Sequence, residues 1–370
     1  MKQYEPNFKR LEELTEEGYL RKVISPCKKL MLYNYTDKCT YEKKWNKHTL
    51  NSRGTVYEIA TGKVIATAFP KFFNFKELQP VVQKTLIKQV GFTVSEKMDG
   101  SLGILYKYDG RWRVNTRGSF TSDQAIKATE MVQKYEPRLD NLFITFPNTP
   151  TLLVEIIYPE NRIIVDYGTE EKLVILGGYD RNGRGYNDSF LQVIADKIQM
   201  PIAPIYHDFK TIDEVVEEQA RLGKMEEGFV VKFQDGYRCK FKSAEYLKVA
   251  RLLSEMTPLN FWKAMKDGVV QQEILEEIPE EFEDEVKRIK SGLEIKYQET
   301  KLEVLKDYQY AIKSIGGLVD LNEDRKKLGL FIKENGSELK HSGAMFAKLI
   351  DGDIDKYLMK EIRPVGNKIG

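Results

Sequence analysis

The spacing of apolar residues changes near Ser243 and divides the chain into two regions. Before this point, short apolar segments alternate with glycine-containing turns, which is typical of antiparallel β-hairpins. Beyond it, apolar residues recur every three or four positions in long charged segments, as in amphipathic helices. We therefore predict an α+β fold. A mixed, largely antiparallel-sheet domain at 1–246 would be followed by an all-helical C-terminal domain at 247–370.

The first region contains several predicted strand pairs, each flanking a short turn. They are 55–60 with 63–69, 102–107 with 111–117, and 152–158 with 162–167, and a further strand is predicted at 173–179. Helices are predicted near 121–135, 188–199 and 212–222.

The second region is predicted to be helical throughout. One long helix would extend from about 282 to Gly316-Gly317, where two glycines end it. The acidic segment 276–281 would be its solvated start. Shorter helices are predicted at 322–334 and 342–357.

Lys97 lies in the segment Lys97-Met98-Asp99-Gly100-Ser101, at the end of an apolar strand. An amine attacks phosphorus only when it is deprotonated, and neighbouring cations favour that form. A Lys-x-Asp-Gly segment in this position is typical of a covalent nucleotidyltransferase that presents a lysine nucleophile. The alternative is a surface turn in which Asp99-Gly100 only closes a hairpin.

Further charged residues occur at strand ends or inside strands downstream of Lys97. Glu155 interrupts an apolar strand, and a buried acid is rarely without a partner. Glu227 directly precedes a glycine and another apolar strand. Lys240 and Lys242 share one strand face by the two-residue period, and two cations on one face suit a triphosphate.

Three more cations lie close to glycine or aromatic residues. Arg53 precedes Gly54, Arg117 precedes Gly118, and Lys71 begins the aromatic segment 71–75. An aromatic face in that segment could hold a nucleobase. Each of these residues, taken singly, also fits a solvated cation or a core aromatic.

Together these residues resemble the ATP-dependent polynucleotide ligases, and in particular the RNA ligase 1 group of phage RNA ligases. The matching elements span roughly 50–246 and, in order, are Arg53-Gly54, Lys71-Phe72-Phe73-Asn74, Lys97-Met98-Asp99-Gly100-Ser101, Arg117-Gly118-Ser119, Glu155 with Asn161-Arg162-Ile163, Glu227-Gly228, and Lys240-Phe241-Lys242. The chain departs from the family at Arg117, where a lysine is usual, so a forked donor replaces a point charge.

The resemblance implies a three-step reaction with ATP as substrate and Mg²⁺, or alternatively Mn²⁺, as cofactor. Lys97 would take AMP from ATP, pass it to a 5'-phosphate RNA end, and a 3'-hydroxyl would then displace AMP. Lys240 and Lys242 would act in catalysis on the triphosphate. The implied nucleotide-binding residues are Arg53, Lys71, Phe73, Lys97, Gly100, Arg117, Glu155, Glu227, Lys240 and Lys242. The implied contacts to metal-bound water are Asp99, Glu155 and Glu227.

Composition adds expectations about partners and location. The net charge is +5 over the first 250 residues and −3 over the last 120, so the first region is the expected RNA contact. The RNA would be single-stranded or nicked and structured, with tRNA as one candidate, and no obligate protein partner is expected. The three cysteines lack metal-ligand spacing, and no membrane-spanning segment is evident. We expect a soluble, cytoplasmic protein, for example in a phage-infected cell.

Two other functional classes remain open. A DNA ligase or a GTP-using capping enzyme shares the motif lysines, but its usual small β-barrel after the last lysine motif is not predicted here. A catalytically decayed RNA-binding protein is the second alternative. Loss of the nucleophile or of a motif acid would be expected for it, and Lys97, Glu155 and Glu227 are all present.

Overall fold

A computed structural model describes residues 4–146, 151–255, 257–267, 280–317, 321–336, 339–350 and 353–365. The chain divides into two compact units, Met1–Leu247 and Lys248–Gly370. The first unit contains antiparallel sheets with flanking helices, and the described part of the second is helical except for short turns and connecting segments. The predicted α+β class is therefore confirmed.

Twelve described strands of the first unit form three four-stranded sheets. In chain order they are β1 (Leu20–Ile24), β2 (Leu30–Tyr35), β3 (Arg53–Glu58), β4 (Val64–Ala66), β5 (Phe92–Glu96), β6 (Ser101–Tyr108), β7 (Arg111–Thr116), β8 (Thr151–Ile157), β9 (Lys172–Tyr179), β10 (Ile205–Tyr206), β11 (Gly228–Phe233) and β12 (Arg238–Lys242). The sheet orders are β1-β2-β3-β4, β10-β5-β11-β12 and β7-β6-β8-β9, and every pair of neighbours is antiparallel.

Helices cover the outer faces of these sheets. The α-helices of the first unit are α1 (Phe8–Glu16), α2 (Asp37–Tyr41), α3 (Lys47–Asn51), α4 (Pro80–Ile87), α5 (Asp123–Val132), α6 (Glu136–Thr145), α7 (Asp188–Ile198) and α8 (Ile212–Gln219), and α9 (Ala244–Glu255) crosses the unit boundary. Apolar residues of α5, α6 and α7 pack on the sheet that contains β6 and β8. Those of α8 pack on the sheet that contains β5 and β11. The helices predicted near 121–135, 188–199 and 212–222 are thus confirmed.

The segment that carries Lys97 connects two of the sheets. Strand β5 ends at Glu96 and β6 begins at Ser101, so residues 97–100 are the crossover between them. In the neighbouring strands, Leu102 of β6 is paired with Glu155 of β8, and Phe229 of β11 is paired with Glu96. Because Lys97, Glu155 and Glu227 lie at or beside these junctions, folding of both sheets brings these three residues together.

The predicted strand at 162–167 is wrong. Strand β8 instead pairs on that side with β9, and residues 162–167 form an irregular segment. The backbone N–H groups of Ile164 and Val165 donate to the side-chain oxygen Oδ2 of Asp99, at 2.9 and 2.8 Å. A distant carboxylate therefore satisfies donors that a hairpin ladder would otherwise use.

The second unit contains five described helices that lie wholly beyond the boundary. They are α10 (Pro258–Asp267), α11 (Glu280–Ser314), α12 (Leu321–Glu334), α13 (Ser342–Leu349) and α14 (Ile354–Glu361). Ala311 and Leu328 belong to one buried cluster with Met345, so α11, α12 and α13 share a core. The long predicted helix is confirmed, and Gly316 and Gly317 adopt positive φ angles of 89° and 91° just after it.

The prediction of one helix at 342–357 is wrong, because two helices occupy that region. The second helix has its own N-terminal cap, in which Asp353 accepts a hydrogen bond from the backbone N–H of Asp355 at 2.8 Å. Of the predicted acidic helix start, residues 276–279 lie outside the described residues.

Candidate active site

Lys97 is held at its crossover position through both its backbone and its side chain. Its backbone N–H donates to the carbonyl oxygen of Gly228 at 2.8 Å. Its amine Nζ forms an ion pair with Oε2 of Glu227. Gly228, the first residue of β11, therefore fixes the backbone of Lys97, and Glu227, directly before it, fixes the amine.

Glu227 is a buried acid that binds two lysines. Its other oxygen, Oε1, pairs with Nζ of Lys242 at 2.9 Å, and the side chain of Glu227 is only 4% exposed. A buried carboxylate is stable when its lone pairs are satisfied by charged donors. Glu227 consequently positions Lys97 and Lys242 relative to each other.

Asp99 is buried and makes three hydrogen bonds through its carboxylate. Oδ2 accepts the two backbone N–H groups of the 162–167 segment, and Oδ1 accepts the hydroxyl of Tyr246 at 2.7 Å. The backbone N–H of Asp99 also donates to the hydroxyl of Tyr167 at 3.0 Å. These bonds give Asp99 a positioning role, and its predicted contact with metal-bound water stays a prediction.

A cavity of about 200 Å³ opens beside Lys97, and we call it the first cavity. Of the predicted nucleotide-binding residues, it brings together Arg53, Lys97, Gly100, Glu155 and Lys240. Gly100 is needed for this approach, because a Cβ atom there would lie 2.6 Å from the carbonyl oxygen of Ile156 and 3.1 Å from Cγ of Glu155. The cavity also has apolar and aromatic walls, including Phe69 and Phe72.

Arg53 and Glu155 are a buried base and a buried acid in the wall of this cavity. Burial lowers the pKa of Arg53, and its Nη1 atom is buried with no hydrogen-bond partner among the described residues. Burial also raises the pKa of Glu155 to about 8, although the charges of Lys97 and Arg53 oppose that effect. The unsatisfied guanidinium donor and the polar carboxyl are suited to bind a polar ligand within the cavity.

Lys240 is the most strongly perturbed lysine among the predicted site residues. Burial lowers its pKa to about 7, and the nearby cations Arg53, Lys97, Lys71 and Lys242 add to the effect. An ammonium in this position gains a counter-ion when an anion binds. The first cavity therefore favours a ligand with negative charge.

Three predicted site residues lie in a separate group, which we call the cation–aromatic cluster. It consists of Lys71, Phe73 and Arg117 with Tyr35 and Trp45. Nζ of Lys71 lies 5.5, 5.6 and 5.2 Å from the ring centroids of Tyr35, Trp45 and Phe73. Nη1 of Arg117 donates to the Tyr35 hydroxyl at 3.0 Å. Burial alone would raise the pKa of Tyr35, but Arg117, Lys71 and Arg53 outweigh it and lower the pKa. Lys71, Phe73 and Arg117 do not line the first cavity.

Sequence reasoning missed several residues of the site. Phe72, rather than the predicted Phe73, lines the first cavity and lies under the cation of Lys240, whose Nζ is 5.1 Å from the ring centroid. Arg238 also lines the cavity. A signal for Arg238 was present, because it shares the two-residue period of Lys240 and Lys242 on β12. Tyr246 has no such signal, since its bond to Asp99 joins residues 147 positions apart.

The described acidic side chains do not cluster into a direct site for a divalent cation. In the described part of the chain, no group of three or more His, Cys, Asp or Glu residues could hold a metal ion. The oxygens of Asp99 and of Glu227 already bond to protein groups, and Glu155 lines the first cavity, so contacts of these three acids with metal-bound water stay a prediction. Glu155 and Glu227 both interact with Lys97, and their carboxyls could face metal-bound water.

A lysine amine, a paired acid and a cationic cavity together form the arrangement expected of a covalent nucleotidyltransferase. Sequence comparison defines the group more closely, since a family model described as RNA ligase (RNA_lig_T4_1) matches residues 51–246. This chain belongs to that RNA ligase family. The matched range includes the crossover, both acids and the β12 lysines.

Two proteins with similar sequences have names that include RNA ligase. The chain is 28% identical over 239 residues to a putative bifunctional polynucleotide kinase/RNA ligase of Autographa californica nuclear polyhedrosis virus, covering 60% of this chain and 33% of that protein. It is 30% identical over 122 residues to a putative RNA ligase of Thermovibrio ammonificans, covering 33% of this chain and 32% of that protein. The chain thus spans about a third of the length of these relatives.

A solved structure shares the fold. An archaeal ATP-dependent RNA ligase matches with a TM-score of 0.51 and 17% identity, over 77% of this chain and 75% of that one. At this identity the likeness shows the fold alone. No helix in the described residues is both long and apolar enough to cross a lipid bilayer.

Proposed function

We propose that this chain is an ATP-dependent RNA ligase that joins 5'-phosphate and 3'-hydroxyl RNA ends through a lysyl-AMP intermediate. The observation that carries the proposal is the position of the Lys97 amine. It lies in the wall of a cationic cavity and is paired with Glu227, which also binds Lys242. Membership of the RNA ligase family supports the same chemistry.

In the first step, the amine of Lys97 forms a bond to the α-phosphorus of ATP and pyrophosphate leaves with the electrons of the broken P–O bond. Glu227 is already hydrogen-bonded to the amine and is placed to receive its proton. Arg53 and Lys240 line the cavity and would neutralise phosphate charge in the transition state. A divalent cation on the triphosphate, with water facing Glu155 and Glu227, would supply further positive charge.

The later steps transfer AMP to the 5'-phosphate of RNA and then release it during sealing. The cation–aromatic cluster offers exposed positive charge at Arg117 and aromatic rings at Tyr35 and Trp45. Charge and rings together suit a phosphate-bearing RNA end. We assign nucleotide chemistry to the 1–246 region, and positioning of particular RNA ends, with tRNA as one candidate, to the helical 247–370 region.

The proposal is tested with the full chain, Mg²⁺ and α-labelled ATP or GTP, followed by sealing assays on single-stranded RNA and nicked duplexes. We expect covalent label from ATP and sealing of 5'-phosphate RNA. Label from GTP would instead support a capping enzyme, and sealing confined to nicked DNA would support a DNA ligase. Absence of any adduct would support a decayed RNA-binding protein.

The perturbed pKa of Lys240 predicts how binding of the triphosphate depends on pH. The pKa is lowered to about 7, so Lys240 is largely neutral above that pH in the free protein. Because only the ammonium attracts phosphate, affinity should fall as pH rises, by about fivefold between pH 7 and 8. Binding of an ATP analogue with a methylene bridge between the α and β phosphates measures this without reaction.

Two substitutions separate this effect from the titration of the analogue itself. Lys240→Arg keeps the charge at every pH tested, so its binding curve should lose most of the extra pH dependence. Lys240→Met should bind weakly at all pH values. If Lys240→Arg showed the same pH profile as the wild type, the assignment of the pH dependence to Lys240 would be contradicted.

A further inference from the structure

A second cavity shares Lys97 and Glu96 with the first cavity but otherwise has a different lining. Its volume is about 430 Å³, and residues between 206 and 229 form much of its wall. Val165 and Tyr167 of the segment anchored by Asp99 complete the lining. Because Lys97 belongs to both walls, a molecule in the second cavity would lie next to a group bound at that amine.

The two cavities differ in charge. Five basic and three acidic residues line the first: Arg53, Lys97, Lys232, Arg238 and Lys240, with Glu96, Glu155 and Asp188. One base and five acids line the second: Lys97, with Glu96, Asp208, Glu218, Glu226 and Glu227. The single amine is already paired with Glu227, so the second cavity repels phosphate. Its carboxylates can accept hydrogen bonds from neutral hydroxyl groups.

Aromatic rings form one wall of the second cavity. Tyr206 packs edge-to-face against Phe209 and Phe229, with centroid separations of 6.2 and 5.4 Å. Phe229 is 3% exposed, whereas Tyr206 is 37% exposed. Phe229 therefore supports the wall from behind, and part of the Tyr206 side chain remains exposed. Stacking on such a ring suits any nucleobase.

The acids of the second cavity are arranged for hydroxyl groups rather than for a metal ion. Among the described residues, no three acids lie close enough together to hold a cation. Asp208 and Glu226 are both exposed and belong to separate loops on either side of α8. Carboxylates accept hydrogen bonds from the hydroxyls of a ribose, and an aromatic ring can stack on the attached base.

We propose that the second cavity binds the 3'-terminal nucleoside of the RNA strand that supplies the hydroxyl group. This inference rests on the proposed function. The base would stack on Tyr206, and the ribose hydroxyls would donate to Asp208 and Glu226. In sealing, the 3'-oxygen forms a bond to the 5'-phosphorus, its proton passes to solvent water, and AMP leaves with the electrons of the broken P–O bond. The nucleoside with its free diol is the uncharged part of this RNA end, which the acidic lining accepts.

The first test measures sealing of a pre-adenylylated donor RNA to an acceptor RNA with the full chain. Tyr206→Ala and Asp208→Asn should each raise the KM for the acceptor by about tenfold. Lysyl-AMP formation from ATP should be unchanged, which also shows that both variants are folded. Tyr206→Phe keeps the ring and should behave like the wild type. Glu217→Gln, at an exposed acid outside the lining, is the matched charge control.

The second test measures equilibrium binding of two otherwise identical oligonucleotides, one ending in a 3'-hydroxyl and one in a 3'-phosphate. The wild type should prefer the hydroxyl end severalfold, and Asp208→Lys should reduce or reverse that preference. The binding preference can be measured even if no AMP adduct forms. Failure of the proposed function would instead appear in the labelling assay, so the two failures can be distinguished. An unchanged acceptor KM in both cavity variants, or equal wild-type binding of the two ends, would overturn the inference. Parallel loss of lysyl-AMP formation would do so as well, since the cavity would then belong to the ATP site.

Discussion

Lys97→Ala is expected to abolish covalent AMP labelling and all ligation that starts from ATP. The reason is chemical, because alanine has no amine to form the bond to phosphorus. The fold should survive, since Glu227 keeps its ion pair with Lys242 when the Lys97 amine is removed. Gel detection of labelled protein after incubation with α-labelled ATP measures the adduct, and thermal unfolding measures the fold.

A matched control removes a lysine that has no part in the site. Lys84 is exposed on α4, so Lys84→Ala should label like the wild type. A further comparison uses pre-adenylylated RNA, which bypasses the first step and which Lys97→Ala should still seal at a measurable rate. Wild-type labelling of Lys97→Ala would remove Lys97 from the mechanism.

Gly228→Ala is expected to cause a large loss of both stability and activity. Gly228 has φ of 136°, and a Cβ atom there would lie 2.0 Å from the carbonyl oxygen of Phe241. Strands β11 and β12 would have to separate, which would displace Gly228 and its carbonyl oxygen, the acceptor of the Lys97 backbone N–H. We expect the free energy of unfolding to fall by about 3 kcal/mol or more. Denaturant titration measures this change.

Gly110→Ala separates steric overlap from the cost of the backbone angle. Gly110 also has a positive φ, 75°, but a Cβ atom there would meet nothing within 4 Å. Its replacement should therefore lower stability by only about 1 kcal/mol and leave lysyl-AMP formation intact. Similar stability losses in the two variants would show that the close approach of β12 does not limit position 228.

The sequence predicted the parts of the site that depend on local patterns. Lys97 and Glu227 lie at strand ends that short apolar segments define, and Lys240 and Lys242 share a face by simple alternation. The choice between Phe72 and Phe73 was not predictable in this way. Residues 70–73 form no regular strand, so no fixed period assigns their side chains to faces.

Contacts between distant segments account for the remaining differences. The carboxylate of Asp99 binds residues 164, 165 and 246, and none of these partners has a sequence signal that points to Asp99. The same contacts explain why 162–167 is not a strand despite its apolar residues. The second cavity was also not predicted, because its walls come from several separate parts of the chain.

The most direct test of the account is to map the AMP adduct on the full chain. After incubation with ATP and Mg²⁺, proteolysis and mass spectrometry identify the modified peptide, with acid-labile linkage as evidence of a phosphoramide. We expect AMP to be attached to Lys97 and to no other residue. Attachment to Lys240, Lys242 or another side chain, or no attachment while RNA is sealed, would contradict it.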